Sequence, residues 1–312
     1  MKNPLRLTIQ RGTAIIVALF VTALVATAAI AMMEHLRIDT RRTELILNHN
    51  QANLYAQGSL AWAIDQLIND AKQTPSGKPI DRTPIISPIN EVNGAKISSI
   101  IYDAQGKLNL NNLSDAPFQL LFIRLIQVIA PDVDSTTAQN ITSGIVDWIT
   151  PGMNNSPFDA YYAKLNPPYR SPHRPMMSVS ELRLIRGMTP KLYTKLAPYV
   201  TALPDKTNLN INSVAVPIIM SFSPSITLET AKAFDAFRKQ APLTSLDNLA
   251  NFTAIKNNPI AQTQLTVSSD FFLVKTHVTI GNQDLTLYTL VMRLLKNNQP
   301  TVIVLWQSKG TL

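Results

Sequence analysis

The strongest pattern in the chain is an uncharged stretch close to its beginning, at residues 13–33. It consists mostly of Ala, Val, Ile and Leu and contains neither Gly nor Pro. At about 1.5 Å per residue, a helix of this length matches a bilayer hydrocarbon core of roughly 30 Å. Backbone polar groups inside lipid must be satisfied within the segment, so the pattern predicts a transmembrane helix over residues 13–33.

The charges that flank this stretch predict its orientation. Lys2, Arg6 and Arg11 precede it without any acidic residue, and such a positive flank favours the cytoplasmic side. We therefore expect a single-pass membrane protein with a cytoplasmic N-terminus and the rest of the chain outside. A cleaved secretory signal is the alternative, with small residues at 28–31 as its cleavage site, although such signals have apolar regions of only about 7–15 residues.

A second apolar pattern continues beyond the membrane span, with the i, i+4, i+7 spacing of an amphipathic helix. Its members are Leu60, Ile64, Leu67 and Ala71. Pro75 and Gly77 stop the pattern, so one helix is expected from the membrane to about residue 72. A seven-residue spacing is also present, at Leu47, Leu54, Ala61 and Ile68. It leaves a coiled coil as the alternative, but the repeat is short and a helix facing a protein core is favoured.

Alternating apolar and polar positions predict β-strands in two parts of the chain. The first is a hairpin in which residues 95–102 and 107–110 flank the turn sequence DAQG. The second comprises three strands with hairpin turns near the C-terminal end, at residues 271–280, 285–295 and 301–307. Short hairpin connections predict antiparallel pairing.

The chain between these strands has helical periodicity. Apolar residues line one face of residues 116–129 and of residues 136–149, and a long Pro- and Tyr-containing loop follows at 150–175. Two similar units come next, at 178–201 and 210–252. Each is expected to contain a short helix, a turn and a second helix, a pattern that resembles the helix-hairpin-helix or SAM-like repeat.

Strands on both sides of a helical block predict an α+β fold. A long N-terminal helix packs on an antiparallel sheet, and a large all-helical domain is inserted into that sheet. We place the first part of the sheet domain at residues 34–115, the inserted domain at 116–265 and the last strands at 266–312. Two unconnected domains are the alternative arrangement.

Composition and motifs argue against catalysis. The chain has 312 residues, no cysteine and four scattered histidines, at positions 35, 49, 173 and 277. Thiol chemistry, disulfides and Cys-ligated zinc are therefore excluded, and the absence of paired-His spacing makes a His-based metal site unexpected. Phosphate-binding loops, GxSxG and GxGxxG are also missing. We expect no enzymatic activity.

The formal net charge of +8 raises the question of nucleic-acid binding. The chain has no basic tract, and its densest clusters are pairs such as Arg41 and Arg42. Helix-hairpin-helix repeats that bind DNA use glycine-rich turns whose amides meet phosphate. Here the turns are RGMT (186–189) and SPSI (223–226). The first contains one glycine and the second contains none. A packing role is favoured and no nucleic-acid partner is expected; a membrane-tethered DNA-binding protein of the competence kind is the alternative function.

Two parts of the sequence together resemble a known family. The segment QRG followed by TAIIVALFVTALVATAA is similar to a type IV pilin-type leader, which a prepilin peptidase cuts after Gly. The pieces PPYR, SVSELRL, RGMTP, LAPYVTALP and NINS, in that order, resemble the type II secretion minor pseudopilin K family, also called general secretion pathway protein K. The resemblance covers the whole chain and is strongest over residues 145–213.

The resemblance implies a type IV pilin-like fold with a helical insertion, at the tip of a pseudopilus in the bacterial inner membrane. The domain outside the membrane would then be periplasmic. The implied role is to initiate pseudopilus assembly and to help export folded proteins across the outer membrane. The implied partners are minor pseudopilins I and J, other pseudopilus and inner-membrane platform components, and the prepilin peptidase.

The resemblance also assigns processing residues. Cleavage between Gly12 and Thr13 would remove residues 1–12 as a leader, and the peptidase could then methylate the new N-terminal Thr13. Most pilins carry Glu at the fifth mature position, where it pairs with a neighbour's N-terminus. The fifth residue here is Val17, which agrees with family K and with a place at the tip.

Family members bind calcium through an acid-rich loop after a DW motif. The corresponding loop here reads WITPGMNNSPFDAYY, and with the DW motif it offers Asp147 and Asp159 as carboxylates. These two residues are therefore the expected calcium ligands. Two carboxylates are few for an ion that takes six to eight oxygen ligands.

Overall fold

The computed structural model describes residues 11–73, 84–153, 156–256 and 264–310. Helix α1 (Arg11–Lys72) is continuous over 62 residues, about 93 Å at the usual rise. Its end at Lys72 confirms the sequence prediction. Side chains from Thr13 to Leu47 are exposed along the whole helix circumference, whereas the last part has a buried stripe of Ala52, Ala56, Leu60, Ala63, Leu67 and Ala71.

Seven further helices and ten strands follow α1 among the described residues. The helices are α2 (Ala116–Ile129), α3 (Ser135–Ile149), α4 (Pro157–Tyr162), α5 (Pro190–Leu196), α6 (Val216–Ser221), α7 (Leu228–Gln240) and α8 (Thr253–Lys256). The strands are β1 (Ile85–Ile86), β2 (Asn90–Val92), β3 (Ala95–Asp103), β4 (Leu108–Asn109), β5 (Val200–Thr201), β6 (Leu209–Asn210), β7 (Leu265–Thr266), β8 (Phe271–Ile280), β9 (Gln283–Lys296) and β10 (Gln299–Lys309).

The main sheet has the order β1-β3-β8-β9-β10, with β2 also paired to β3, and all of its pairs are antiparallel. The three long C-terminal strands confirm the period-two prediction. Helix α1 lies across one face of this sheet, where Leu67 packs with Ile101, Val274 and Val291. The alanines of its buried stripe have short side chains and so let the helix backbone approach the sheet closely.

The expected hairpin around DAQG is wrong. Strand β3 ends at Asp103, the chain makes a 3₁₀ turn over Ala104–Gly106, and β4 then pairs in parallel with β5. The amide side chain of Gln105 accepts a hydrogen bond from the Phe271 amide at 3.1 Å, which turns this segment toward β8. The hairpin partner of β3 is β2, across a turn in which Asn93 and Gly94 have positive φ.

The helical part is an insertion within one sheet, because the chain leaves the sheet at Asp103, the end of β3, and returns to it at Phe271, the start of β8. In the sheet register Asp103 lies opposite Phe272, so entry and exit are neighbours. The insertion therefore spans more residues than the expected 116–265. Leu108, Leu110 and Leu113 are fully buried and already belong to the hydrophobic core of the helical part.

A buried carboxylate fixes the junction between sheet and insertion. Asp103 Oδ2 accepts hydrogen bonds from Asn210 Nδ2 at 2.8 Å and Ser269 Oγ at 2.7 Å, while its Oδ1 accepts one from the Gln105 amide at 2.8 Å. Burial raises the pKa of Asp103 above its usual value, although these hydrogen bonds oppose part of that shift. One side chain thus joins the end of β3, the middle of the insertion and the segment that re-enters the sheet.

We predict opposite effects of two glycine substitutions. A Cβ at Gly106 would lie 2.8 Å from Ser213 Cβ and 2.9 Å from the Ser213 carbonyl oxygen, so Gly106→Ala should destabilise the protein by about 1–3 kcal/mol. Gly58, inside α1, has nothing within 4 Å of the added Cβ, so Gly58→Ala should stabilise it by roughly 0.5–1 kcal/mol. Thermal unfolding of the full chain in detergent measures both; equal stability of Gly106→Ala and wild type would contradict this packing.

Candidate functional site

The loop predicted to hold a metal brings three ligand-type side chains together. Asp147 comes from the last turn of α3, Asp159 from α4 and His173 from the loop beyond α4. One ligand atom from each side chain lies within 4.8 Å of the other two. The two carboxylates named from the sequence do meet, and the structure adds a histidine that sequence reasoning missed.

Local structure explains how these residues are presented. Ser156 caps α4 by accepting the Asp159 amide at 3.1 Å, which places the Asp159 side chain in the first turn of the helix. His173 has a positive φ of 47°, an unusual conformation for a residue with a side chain. Residues 154 and 155, between Asp147 and α4, lie outside the described residues. The interval expected as one loop therefore contains a short helix that carries one of the three groups.

Each carboxylate is held through one oxygen by the same serine. Ser171 Oγ donates to Asp147 Oδ2 at 3.2 Å, and the Ser171 amide donates to Asp159 Oδ1 at 3.3 Å. The other oxygen of Asp159 contacts His173 Nε2 at 3.0 Å. The other oxygen of Asp147, Oδ1, is buried and accepts no hydrogen bond from any residue that the structure describes.

The histidine ring bridges backbone and carboxylate. Its Nδ1 donates to the Asp147 carbonyl oxygen at 3.0 Å, because a carbonyl oxygen can only accept. Burial disfavours the charged imidazole, but the hydrogen bonds to Asp159 and to this carbonyl outweigh it and raise the pKa of His173. Burial likewise opposes ionisation of Asp159, yet the hydrogen bonds from His173 and Ser171 hold the pKa of that carboxyl below its usual value.

Aromatic side chains form a wall beside this cluster. Tyr162 stacks on Tyr169 at a ring separation of 4.9 Å and meets Trp148 edge-on at 5.9 Å. Burial raises the pKa of Tyr162 to about 12. The Tyr169 hydroxyl donates to the Leu184 carbonyl at 2.7 Å. This hydrogen bond connects the loop to the first of the two similar units, residues 178–201. These contacts give the tyrosines fixed positions in the loop.

The donor set fits calcium poorly. Calcium prefers oxygen ligands only, and usually several carboxylates. Among the described residues, the cluster offers one oxygen from each of two carboxylates plus an imidazole nitrogen, and the Asp147 carbonyl is already bonded to that imidazole. Calcium at Asp147 and Asp159 stays a prediction.

Both of the predicted units, each a short helix, a turn and a second helix, are present. The first consists of the 3₁₀ segment Val179–Leu184 and α5, and the second of α6 and α7. Their assignment to the helix-hairpin-helix family stays a prediction. Gly187 in the first turn has a φ of 87° and lies against the core, since a Cβ there would be 3.2 Å from Ile141. This glycine permits close packing on α3.

Backbone amides in both turns already have protein acceptors. The Arg186 amide donates to the Tyr162 hydroxyl at 3.1 Å, and the Met188 amide donates to the Ile185 carbonyl at 3.0 Å. In the second turn the Ser225 amide donates to Ser223 Oγ at 3.3 Å, and buried Ile226 donates to the Ser223 carbonyl at 3.1 Å. Amides engaged in this way are not presented to a phosphate, so the contacts favour a packing role.

A second polar centre joins the DW and SVSELRL pieces of the sequence. Glu181 Oε2 accepts the Trp148 indole N–H at 2.9 Å, and Oε1 accepts the Met177 amide at 2.8 Å. Ser178 and Glu181 also form a capping box at the start of the 3₁₀ segment Val179–Leu184. These two motifs, 33 residues apart, therefore meet in one hydrogen-bonded arrangement.

The processing residues lie far along the chain from this cluster. Gly12 and Thr13 are in the first turn of α1, and Thr13 is exposed. Residues 1–10 of the expected leader lie outside the described residues. Helix α1 is long and apolar enough to cross a membrane, and its most apolar window has no buried residue.

Comparisons with known proteins place the sequence in a family. Residues 106–205 match the family model described as type II secretion system (T2SS), protein K. Type II secretion system protein K of Pectobacterium carotovorum subsp. carotovorum is 31% identical over 301 residues, which cover 88% of this chain and 90% of the relative. The chain belongs to the type II secretion system protein K family. The protein K of Aeromonas hydrophila is 29% identical over 256 residues, covering 74% of this chain and 76% of that one.

A solved structure supports the fold of this protein K family member. A chain in the crystal structure of the GspK–GspI–GspJ complex from the enterotoxigenic Escherichia coli type 2 secretion system superposes with a TM-score of 0.67. The match is 24% identical and covers 87% of this chain and all of that chain. A long N-terminal helix on an antiparallel sheet with an additional helical region is therefore the fold of the family, as the sequence predicts.

We predict that Glu181 is a main stabiliser of the helical part. Glu181→Ala removes acceptors from the Trp148 indole and the Met177 amide, and it should cost about 2–3 kcal/mol of unfolding free energy. A red shift of tryptophan emission should accompany a lower melting temperature.

The matched control is Glu91→Ala, since Glu91 is exposed and its one ion pair among the described residues is with exposed Lys96. Such a pair contributes about 0–1 kcal/mol. If both variants melted at the wild-type temperature, Glu181 would not hold this region together.

Proposed function

We propose that the chain is a minor pseudopilin at the tip of the type II secretion pseudopilus. There it initiates assembly together with minor pseudopilins I and J and helps export folded proteins across the outer membrane. Its N-terminus lies in the cytoplasm, and its sheet and helical insertion lie in the periplasm. Membership of the protein K family carries the proposal, and a solved GspK–GspI–GspJ complex with a chain of the same fold supports it.

The division of α1 supports an assembling subunit. Its apolar first part, including Ile16 at 68% and Phe20 at 67% exposure, is left uncovered by the rest of the described chain. Lipid and neighbouring helices are the surroundings that such a surface requires. Beyond the expected membrane span, Leu47 and Leu54 remain 61% and 70% exposed. These leucines, seven residues apart, offer an apolar seam to the helices of partner pseudopilins.

Val17 supports a place at the top of the assembly. A subunit in the body of a pilus uses a glutamate at this position to pair with the N-terminus of a neighbour. Val17 is 60% exposed and uncharged, so it offers no such pairing within the membrane. Other subunits are therefore added below this one, and none is added above it.

Processing by the prepilin peptidase gives the first test. Gly12→Ala should block cleavage, leaving a longer membrane species and abolishing secretion. Gly58→Ala is the matched control and should be processed normally. N-terminal sequencing of the wild-type protein should begin at Thr13 and shows whether that residue is methylated. Normal secretion by Gly12→Ala would count against the pseudopilin assignment.

Assembly with the partner pseudopilins gives the second test. Leu47→Asn combined with Leu54→Asn should reduce co-purification of minor pseudopilins I and J at least several-fold, because the apolar seam of α1 is lost. The variant should melt at the wild-type temperature, since both side chains are exposed. Leu120→Asn, on α2 and 55% exposed, is the control and should leave co-purification unchanged. Full recovery of both partners with the seam variant would contradict this mode of assembly.

A further inference from the structure

We propose that Asp147, Asp159 and His173 form a binding site for a transition-metal ion of the zinc class. The ion would join α3, α4 and the loop beyond α4. The inference is independent of the proposed function, because it rests only on the donor atoms and their hydrogen bonds.

The imidazole is oriented as a metal ligand is. Protein histidines that bind metals commonly donate their second ring N–H to a backbone carbonyl or a carboxylate, which fixes the tautomer. Here Nδ1 donates to the Asp147 carbonyl at 3.0 Å, and Nε2 faces the Asp159 carboxylate. When the ion enters, Nε2 loses its proton to solvent and coordinates through its lone pair.

Both carboxylates are held in the same manner. Ser171 occupies one oxygen of each, Asp147 Oδ2 and Asp159 Oδ1. The remaining oxygens are Asp159 Oδ2, which faces Nε2, and Asp147 Oδ1, which is buried and accepts no hydrogen bond from the described residues. Asp147 is only 2% exposed, so leaving this oxygen without a partner is costly unless a cation meets it.

The distances suit a small ion. Tetrahedral ligands at about 2.1 Å from zinc lie roughly 3.4 Å from one another. Asp159 Oδ2 and His173 Nε2 are already 3.0 Å apart, and one carboxylate oxygen of Asp147 lies within 4.8 Å of the ligand atom of each of these two residues. Modest rotation of the side chains closes the set, and water completes the fourth position.

The nitrogen ligand sets the choice of metal. Calcium and magnesium prefer oxygen donors, whereas imidazole with carboxylates suits zinc and neighbouring first-row metals. His173 therefore shifts this loop away from calcium chemistry. Replacing it by asparagine would place an oxygen donor at the same position.

Metal titration of the full-length chain in detergent tests the proposal. The protein carries no histidine tag and is first freed of metal with a chelator. Cobalt(II), as a spectroscopic probe, should give a visible ligand-field band at one equivalent, and zinc should abolish it. Zinc should raise the melting temperature, and millimolar calcium should not.

Variants assign the ligands. His173→Asn should lose the cobalt band and weaken zinc binding at least tenfold, and Ser171→Ala should weaken it about 10–100-fold, the usual effect of losing a residue that orients ligands. His277→Asn is the control, because His277 lies on the sheet beside Asp284 and should leave both readouts unchanged. The proposal is overturned if the wild type gives no cobalt band, or if the band persists in His173→Asn. It is also overturned if calcium raises the melting temperature as much as zinc does.

X-ray absorption of the zinc-loaded wild type keeps the test decisive if His173→Asn fails to fold. Imidazole scattering around zinc supports the site. A shell of oxygen scatterers alone overturns it.

Discussion

The carboxylate of Asp103 is the point on which the architecture depends. Asp103 is the last residue of β3. Its carboxylate accepts a hydrogen bond from Ser269, just before β8, at 2.7 Å and one from Asn210, in the middle of the insertion, at 2.8 Å. From the other side, buried Arg293 on β9 donates to the Ser269 carbonyl at 2.6 Å. Because entry and exit are fixed side by side, the sheet register of β3 and β8 continues as if the insertion were absent.

This junction explains how one chain combines a sheet and a separate helical part. The sheet keeps the surface that α1 needs, and the helical part has its own core and its own polar centres, Glu181 with Trp148 and the Asp147 cluster. Asn212 binds both backbone groups of Leu243 in the same part, so the NINS piece supplies the junction and the packing inside it. An insertion anchored in this way can enlarge one end of a pilin-like subunit without altering the helix that enters the membrane.

Sequence patterns predict the elements whose signal is local. The extent of α1, helices α2 and α3 and the three long C-terminal strands follow from apolar spacing alone. The DAQG hairpin failed because Gly106 is required by contact with Ser213, a residue more than one hundred positions away, and not by a turn. His173 was overlooked for a similar reason: it is separated from Asp147 and Asp159 along the chain, and only the folded loop brings the ring to them. The earlier start of the helical core, at Leu108, likewise depends on partners distant in sequence.

The central claim is that this subunit stands at the end of a pseudopilus and not along its body. Electron microscopy of sheared pseudopili, labelled with gold-conjugated antibody against the helical insertion, measures this directly. The account predicts label at one end of each filament. Label at regular intervals along the filaments would contradict it.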